Sequence, residues 1–175
     1  AKKYLPYRGS NSNGNYVSTD LTEQSAYYAA QFPTSPDKDY PFAVTVFENS
    51  PLNHVLMQGA PGYDWQPIVP ADQHPVRYAY ITNTTEDVRC WTVNSNNSIT
   101  ISGFYLPGKL YKTVIKDENW TISSGYLNTT EEYKDLQGNV VLKRSYVKVN
   151  ETVTPVEIYY VYDDLGLLRY VLPPE

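Results

Sequence analysis

The chain has 175 residues, a net charge of −5 and an aromatic share of 14%, carried by 18 Tyr against 4 Phe and 3 Trp. That length supports one domain with a sizeable core and does not force a second, so one domain over residues 1–175 is expected. No Lys/Arg run of the kind that displaces counterions from a phosphate backbone is present, which argues against nucleic acid, and no stretch approaches the ~20 apolar residues of a membrane helix, which argues against membrane insertion.

In chain order, Lys3-Tyr4-Leu5-Pro6-Tyr7 reads as a strand finishing on Leu-Pro, and Gly9 to Asn15 (GSNSNGN) as a polar loop. Asp20, with Glu23 three residues on, has the look of an N-cap; Ala26, Tyr27, Tyr28, Ala29 and Ala30 follow, and Pro33 stops the run. A helix is predicted at about residues 21–32.

From Pro41 the pattern becomes strands and turns. Phe42 to Phe47 is β-branched and aromatic, and Leu52 to Gln58 reads as its return after Asn49-Ser50-Pro51. Residues 59–75 are rich in Pro and Gly and read as a long irregular loop. Strand-like runs then recur at 76–82, 87–93, 99–105, 109–116, 126–134, 140–149, 156–162 and 167–172. The expected fold is all-β, with antiparallel repeated hairpins forming a sheet and one short helix near residues 21–32.

A spacing repeats along this series. Tyr162-Asp163-x-x-Gly166-x-Leu168-x-x-Val171 places Asp at the first position of a four-residue turn and Gly at the fourth, a type I turn with a bulge. Tyr133-x-Asp135-x-x-Gly138-x-Val140 keeps the same Asp-to-Gly separation. Looser relatives are Tyr105-x-x-Gly108-x-Leu110-x-x-Thr113 and Phe47-Glu48-x-x-Pro51-Leu52-x-x-Val55, the last with Pro in place of Gly and so unable to form the same turn. Four such segments, each between strand-like runs, point to one hairpin repeated along a continuous sheet. Arg169-Tyr170-Val171-Leu172-Pro173-Pro174 also resembles Lys3 to Tyr7, so the chain reads as a section of a longer array; its start at Ala1 without Met reads as a processed or excised segment.

Tyr160 to Val171 resembles the YD repeat of bacterial RHS proteins, approximately Y-x-Y-D-x-x-G-R-L-x-x-V, with Leu167 where that family often has Arg. Segments 45–58, 110–120 and 130–145 resemble the region ahead of the YD repeats in large RHS-like proteins. The resemblance implies a β-rich shell or surface wall, such as one that encloses a toxic C-terminal domain, in an exported, cell-surface or extracellular protein. The remainder of its own chain would be its partner. The motif carries no catalytic residues, so Tyr162, Asp163, Gly166 and Leu168, with Tyr133, Asp135 and Gly138, are expected to be structural positions of the repeat.

The residues themselves offer little chemistry. Glu86-Asp87, Glu131-Glu132 and Asp163-Asp164 pair carboxylates in sequence, but neighbours on a strand point to opposite faces, so each reads as a turn or a solvated edge rather than as the facing pair a glycosidase needs. His54 and His74 lack ligand partners at zinc spacing, and no phosphate loop or nucleophile elbow is present, so neither an enzyme nor a cofactor or metal is expected. Cys90, alone and within Val88 to Val93, reads as a small core residue. Five N-x-S/T sequons, at Asn83, Asn96, Asn119, Asn128 and Asn150, follow from composition. The alternative function is carbohydrate binding, for instance of a cell-surface glycan, by Trp65, Trp91, Trp120 and tyrosine faces. Trp65 is the best candidate for stacking because a Pro-rich loop presents it.

Overall fold

The computed structural model describes residues 1–9, 17–67 and 73–174. Beyond Gly9 the polar loop to Asn15 lies outside these residues, as do positions 68–72 of the long loop. The fold is all-β, with antiparallel strand pairs and one α-helix among the described residues. They gather into two units, residues 1–77 with 117–121 and residues 78–116 with 122–175.

In the first unit β1 (Lys2–Tyr4), β2 (Phe42–Phe47), β3 (Val55–Gly59) and the start of β4 (Val76–Thr82) pair antiparallel in that order. The helix α1 spans Asp20–Gln31. Thr19, not Asp20, caps it: the Glu23 amide donates to the Thr19 carbonyl, while the Asp20 carboxylate accepts from the Leu21 amide next to it. Its attachment is polar. Gln24 is buried and donates to the Leu5 carbonyl, and the Tyr28 hydroxyl donates to the Pro6 carbonyl at 2.8 Å, so α1 satisfies the chain that leaves β1. β3 begins three residues later than the returning strand predicted from Leu52, because Ser50 Oγ accepts from the Leu52 amide and Asn53 turns at φ 54°.

The long loop is organised by a glutamine. Gln66 is fully buried, and its Nε2 donates to the carbonyls of Phe42, Ala60 and Gly62 at 3.1, 2.9 and 3.1 Å. Gly59 permits this, since a Cβ there would lie 2.2 Å from the Trp65 carbonyl oxygen. A single turn of 3₁₀-helix, Tyr63–Trp65, is the result.

In the second unit the end of β4 leads a series β7 (Tyr111–Lys116), β8 (Thr129–Lys134), β9 (Val140–Val149), β10 (Thr152–Tyr162) and β11 (Leu168–Leu172), with β5 (Arg89–Val93) and β6 (Ile99–Phe104) as a separate hairpin. The core here is Val88, Leu110, Tyr133, Val141, Leu142 and Tyr159, with Trp91, Tyr105 and Leu172 packed against it. β10 runs four residues further back than the predicted start at 156, through Pro155. The turn Asn150-Glu151 has φ of 46° and 66°, so Thr152 and Val149 form the first, hydrogen-bonded pair of a two-residue hairpin. Alternation then places Pro155, opposite Tyr146, at a non-hydrogen-bonded position, and β11 pairs with β10 only from Tyr159 onward. The missing N–H of Pro155 is thus needed on neither side.

Tyr105 to Gly108 does not join a hairpin. β6 pairs with β5 and β7 with β8, and the segment between them is held by Asn83 instead. No Asp stands at its first position to close the turn. Cys90 is half-buried in β5, outside the buried core cluster.

Candidate functional site

The two Asp-x-x-Gly segments form the same turn twice. At 163–167 the Asp163 amide donates to the Leu167 carbonyl and the Gly166 amide to the Asp163 carbonyl, both at 3.0 Å. At 135–139 the Asp135 amide donates to Asn139 and the Gly138 amide to Asp135, at 3.0 and 3.1 Å. In each the aspartate Oδ1 accepts from the amides two and four residues on: Leu165 and Leu167 at 3.0 and 2.8 Å, Gln137 and Asn139 at 2.9 and 2.8 Å. Gly166 and Gly138 sit at φ 75° and 91°, where a side chain would be strained. The register of the flanking strands shifts by a bulge next to each turn, at Val161/Tyr162 and at Tyr133/Lys134. Only the second carboxylate oxygen differs, taking Arg169 Nε in one turn and Asn139 Nδ2 in the other. The Leu167 amide above all, with Arg169 behind it, holds the Asp163 carboxyl below the usual range. Tyr162 is half-buried at the end of β10, and Leu168 opens β11, exposed.

Tyr133 stands elsewhere than its place in the repeat suggests, at the centre of a buried ionic network. The register sets Glu131 on β8 against Arg144 on β9 and Arg144 against Glu157 on β10, one row across three strands. Arg144 Nε donates to Glu157 at 2.7 Å; Nη1 reaches Asp87, Glu131 and the Tyr133 hydroxyl at 2.9, 3.2 and 2.8 Å; Nη2 donates to the Asp87 carbonyl at 2.7 Å. Lys112 takes the other Glu131 oxygen at 2.8 Å, and Tyr159 donates to Glu157 at 3.0 Å. Burial works against the Asp87 charge, yet the Arg144 hydrogen bond and the Lys112 and Arg144 charges hold its carboxyl below the usual range. Burial also opposes the Arg144 charge, and the Asp87 hydrogen bond with the surrounding groups raises its pKa nonetheless. Burial pushes the Tyr133 phenol well up and that of Tyr159 to about 12.

Glu131 and Asp87 therefore depart from the solvated edges expected of them: Glu131 is 2% exposed, and both are neutralised by paired cations. Glu132, on the opposite face, pairs with Lys134 and Lys143. Every carboxylate of the network is engaged in an ion pair, so the arrangement clamps strands together.

Trp65 closes the 3₁₀ turn, 39% exposed, with its ring 5.8 Å from that of His74 and along a groove it shares with Tyr28, Phe32 and Tyr40. His74 Nδ1 lies 2.7 Å from the Glu118 carbonyl, and His54 Nδ1 lies 2.9 Å from Glu48. Among the described residues no group of three or more His, Cys, Asp or Glu could hold a metal ion. Two organising residues gave no signal in the sequence. One is Gln66; the other is Asn83, 2% exposed, whose Oδ1 accepts from the Leu110 amide at 2.8 Å while Nδ2 donates to Leu106 at 3.0 Å. Asn83 opens a sequon, yet in the fold its side-chain amide is committed to the backbone.

No helix among the described residues is long and apolar enough to cross a membrane. No curated protein and no solved structure is significantly similar to the chain. Residues 1–82 match a family described as a domain of unknown function (DUF6443), a region that ends before both Asp-x-x-Gly turns.

Proposed function

We propose that the chain is a structural β-repeat segment of a large exported RHS/YD-repeat protein, building a shell or surface wall and performing no catalysis of its own. The observation that carries this reading is the recurrence of one turn, hydrogen bond for hydrogen bond, at Asp135 and Asp163. A unit that recurs in sequence and in local geometry extends a sheet by addition, each hairpin presenting an edge to the next. Supporting it, Asp87, Glu131 and Glu157 converge on Arg144 as ion pairs. The partner is then the remainder of its own chain, paired along β11, and the site of action is outside the cell.

The test is the complete reading frame together with cryo-electron microscopy of the complete protein, and fractionation of the producing cells. Further Y-D-x-x-G hairpins continuing the sheet past β11, in an extracellular fraction, are expected. A complete intracellular protein with no further repeats and with β11 open to solvent would overturn the reading.

A further inference from the structure

We propose that the groove beside Trp65 is a docking site for a proline-rich segment of a partner protein that carries an Arg or Lys next to its prolines. The groove has a volume of about 250 Å³. That is below the ~300–1,000 Å³ of pockets that engulf a small ligand, and it suits the ridge of a chain lying across it. Its walls are aromatic. Tyr28 on α1 and Phe32 at its C-cap hold their rings near-parallel at 8° with centroids 6.3 Å apart; Tyr40 and Trp65 line the groove with them, as do Pro41 and Pro61. Phe32 and Trp65 remain 47% and 39% exposed.

Two hydrogen-bonding groups on these walls are unspent. Among the described residues, Trp65 Nε1 and the Tyr40 hydroxyl have no partner, whereas Tyr28 is committed to Pro6. An indole N–H can only donate. A polyproline stretch is the complementary ligand: it has no N–H to satisfy, its carbonyls only accept, its rings pack against aromatic faces, and its extended helix forms before binding at little entropic cost.

The charge supplies the second half of the match. Asp37 is the charged residue of the lining and is exposed, and its carboxylate is fixed in place by the Tyr63 amide on Oδ1 and the Ser35 hydroxyl on Oδ2, each at 2.8 Å. No cation pairs with it among the described residues; Lys38 turns to Asp39. A basic residue flanking the prolines fills that role.

The experiment titrates the intact chain with a polyproline peptide, the same peptide ending in Arg, the same ending in Glu, and a β-linked glucose oligosaccharide, following the three indole N–H resonances by NMR. Trp65→Phe identifies the resonance of Trp65. The polyproline peptides are expected to shift it, with terminal Arg binding about threefold or more tighter than terminal Glu. Tyr40→Phe and Trp65→Phe each remove a donor without removing a ring, and are expected to weaken binding about two- to tenfold. Asp37→Asn, which keeps an acceptor for the Tyr63 amide and turns an Nδ2 donor to the Ser35 hydroxyl oxygen, is expected to erase the preference for Arg. An unmoved Trp65 resonance at millimolar peptide, movement by the oligosaccharide alone, or an Arg preference that survives Asp37→Asn in a folded protein overturns the proposal.

Discussion

Single residues in this chain differ in how far their influence reaches. Asp135 acts within five residues of itself, so Asp135→Ala should cost about 1–2 kcal/mol through two lost amide hydrogen bonds, read as a lower urea midpoint with the fold intact; Asp163→Ala should move in the same direction. Arg144 acts across β8, β9 and β10. Replacing it by Leu strands Asp87 and Glu157 without a paired cation and leaves Glu131 with Lys112 alone, and a loss of about 3–5 kcal/mol is expected. The carboxyls of Asp87, Glu132 and Asp163 are held below their ordinary values in the folded chain, so the unfolded chain binds more protons as the medium is acidified. Their contribution is complete above the unfolded carboxyl value, about pH 4, and is lost as pH falls through the lower folded values. Urea unfolding from neutral pH down to about pH 3 should show stability dropping with acid, and Arg144→Leu should flatten that dependence.

Among the elements, those set by local chemistry were legible in advance and those set by partners were not. The ten-residue strand β9 is legible to its observed limits because Val140-Val141-Leu142 and Tyr146 to Val149 supply β-formers at both ends and neither Pro nor Gly breaks the run between them. β10 was cut short at Pro155, since a proline argues against a strand unless the register is known, and the register depends on the Asn150-Glu151 turn. That turn needs positive φ at both residues, which Glu tolerates poorly. Glu151→Gly should raise stability by about 1 kcal/mol, seen as a higher melting temperature, because the exposed Lys148 pair it sacrifices contributes little. The Tyr105 segment matched the repeat in letters and not in structure, for want of the aspartate that closes the other two turns. The Arg144 network lay beyond any reading of local pattern, as it joins residues 57 apart in the chain, Asp87 and Arg144.

At the scale of the whole molecule, two units carry different kinds of interior. The first buries Phe42 and Val44 together with Gln24, Gln66 and Gln73, whereas the second holds a contiguous apolar cluster around Tyr133 and Leu142. Composition alone could not anticipate buried glutamines, because their partners are backbone carbonyls that any sequence supplies. At the end of the second unit's strand order β11 is an edge, and Leu168 and Val171 on it are 49% and 51% exposed. Such an edge invites pairing, so light scattering should report a mass that rises with concentration, and Val171→Lys should suppress the rise.

The order β7, β8, β9, β10, β11 is also the order of synthesis. From β8 onward the strands are joined by residues 135–139, 150–151 and 163–167, short loops that leave little closure entropy between emergence from the ribosome and pairing, while residues 117–128 make the longer link from β7 to β8. Arg144 leaves the ribosome after Asp87, Lys112 and Glu131, and Glu157 follows thirteen residues later. The clamp can therefore close in step with translation, and the growing sheet need never wait for a distant segment to finish it.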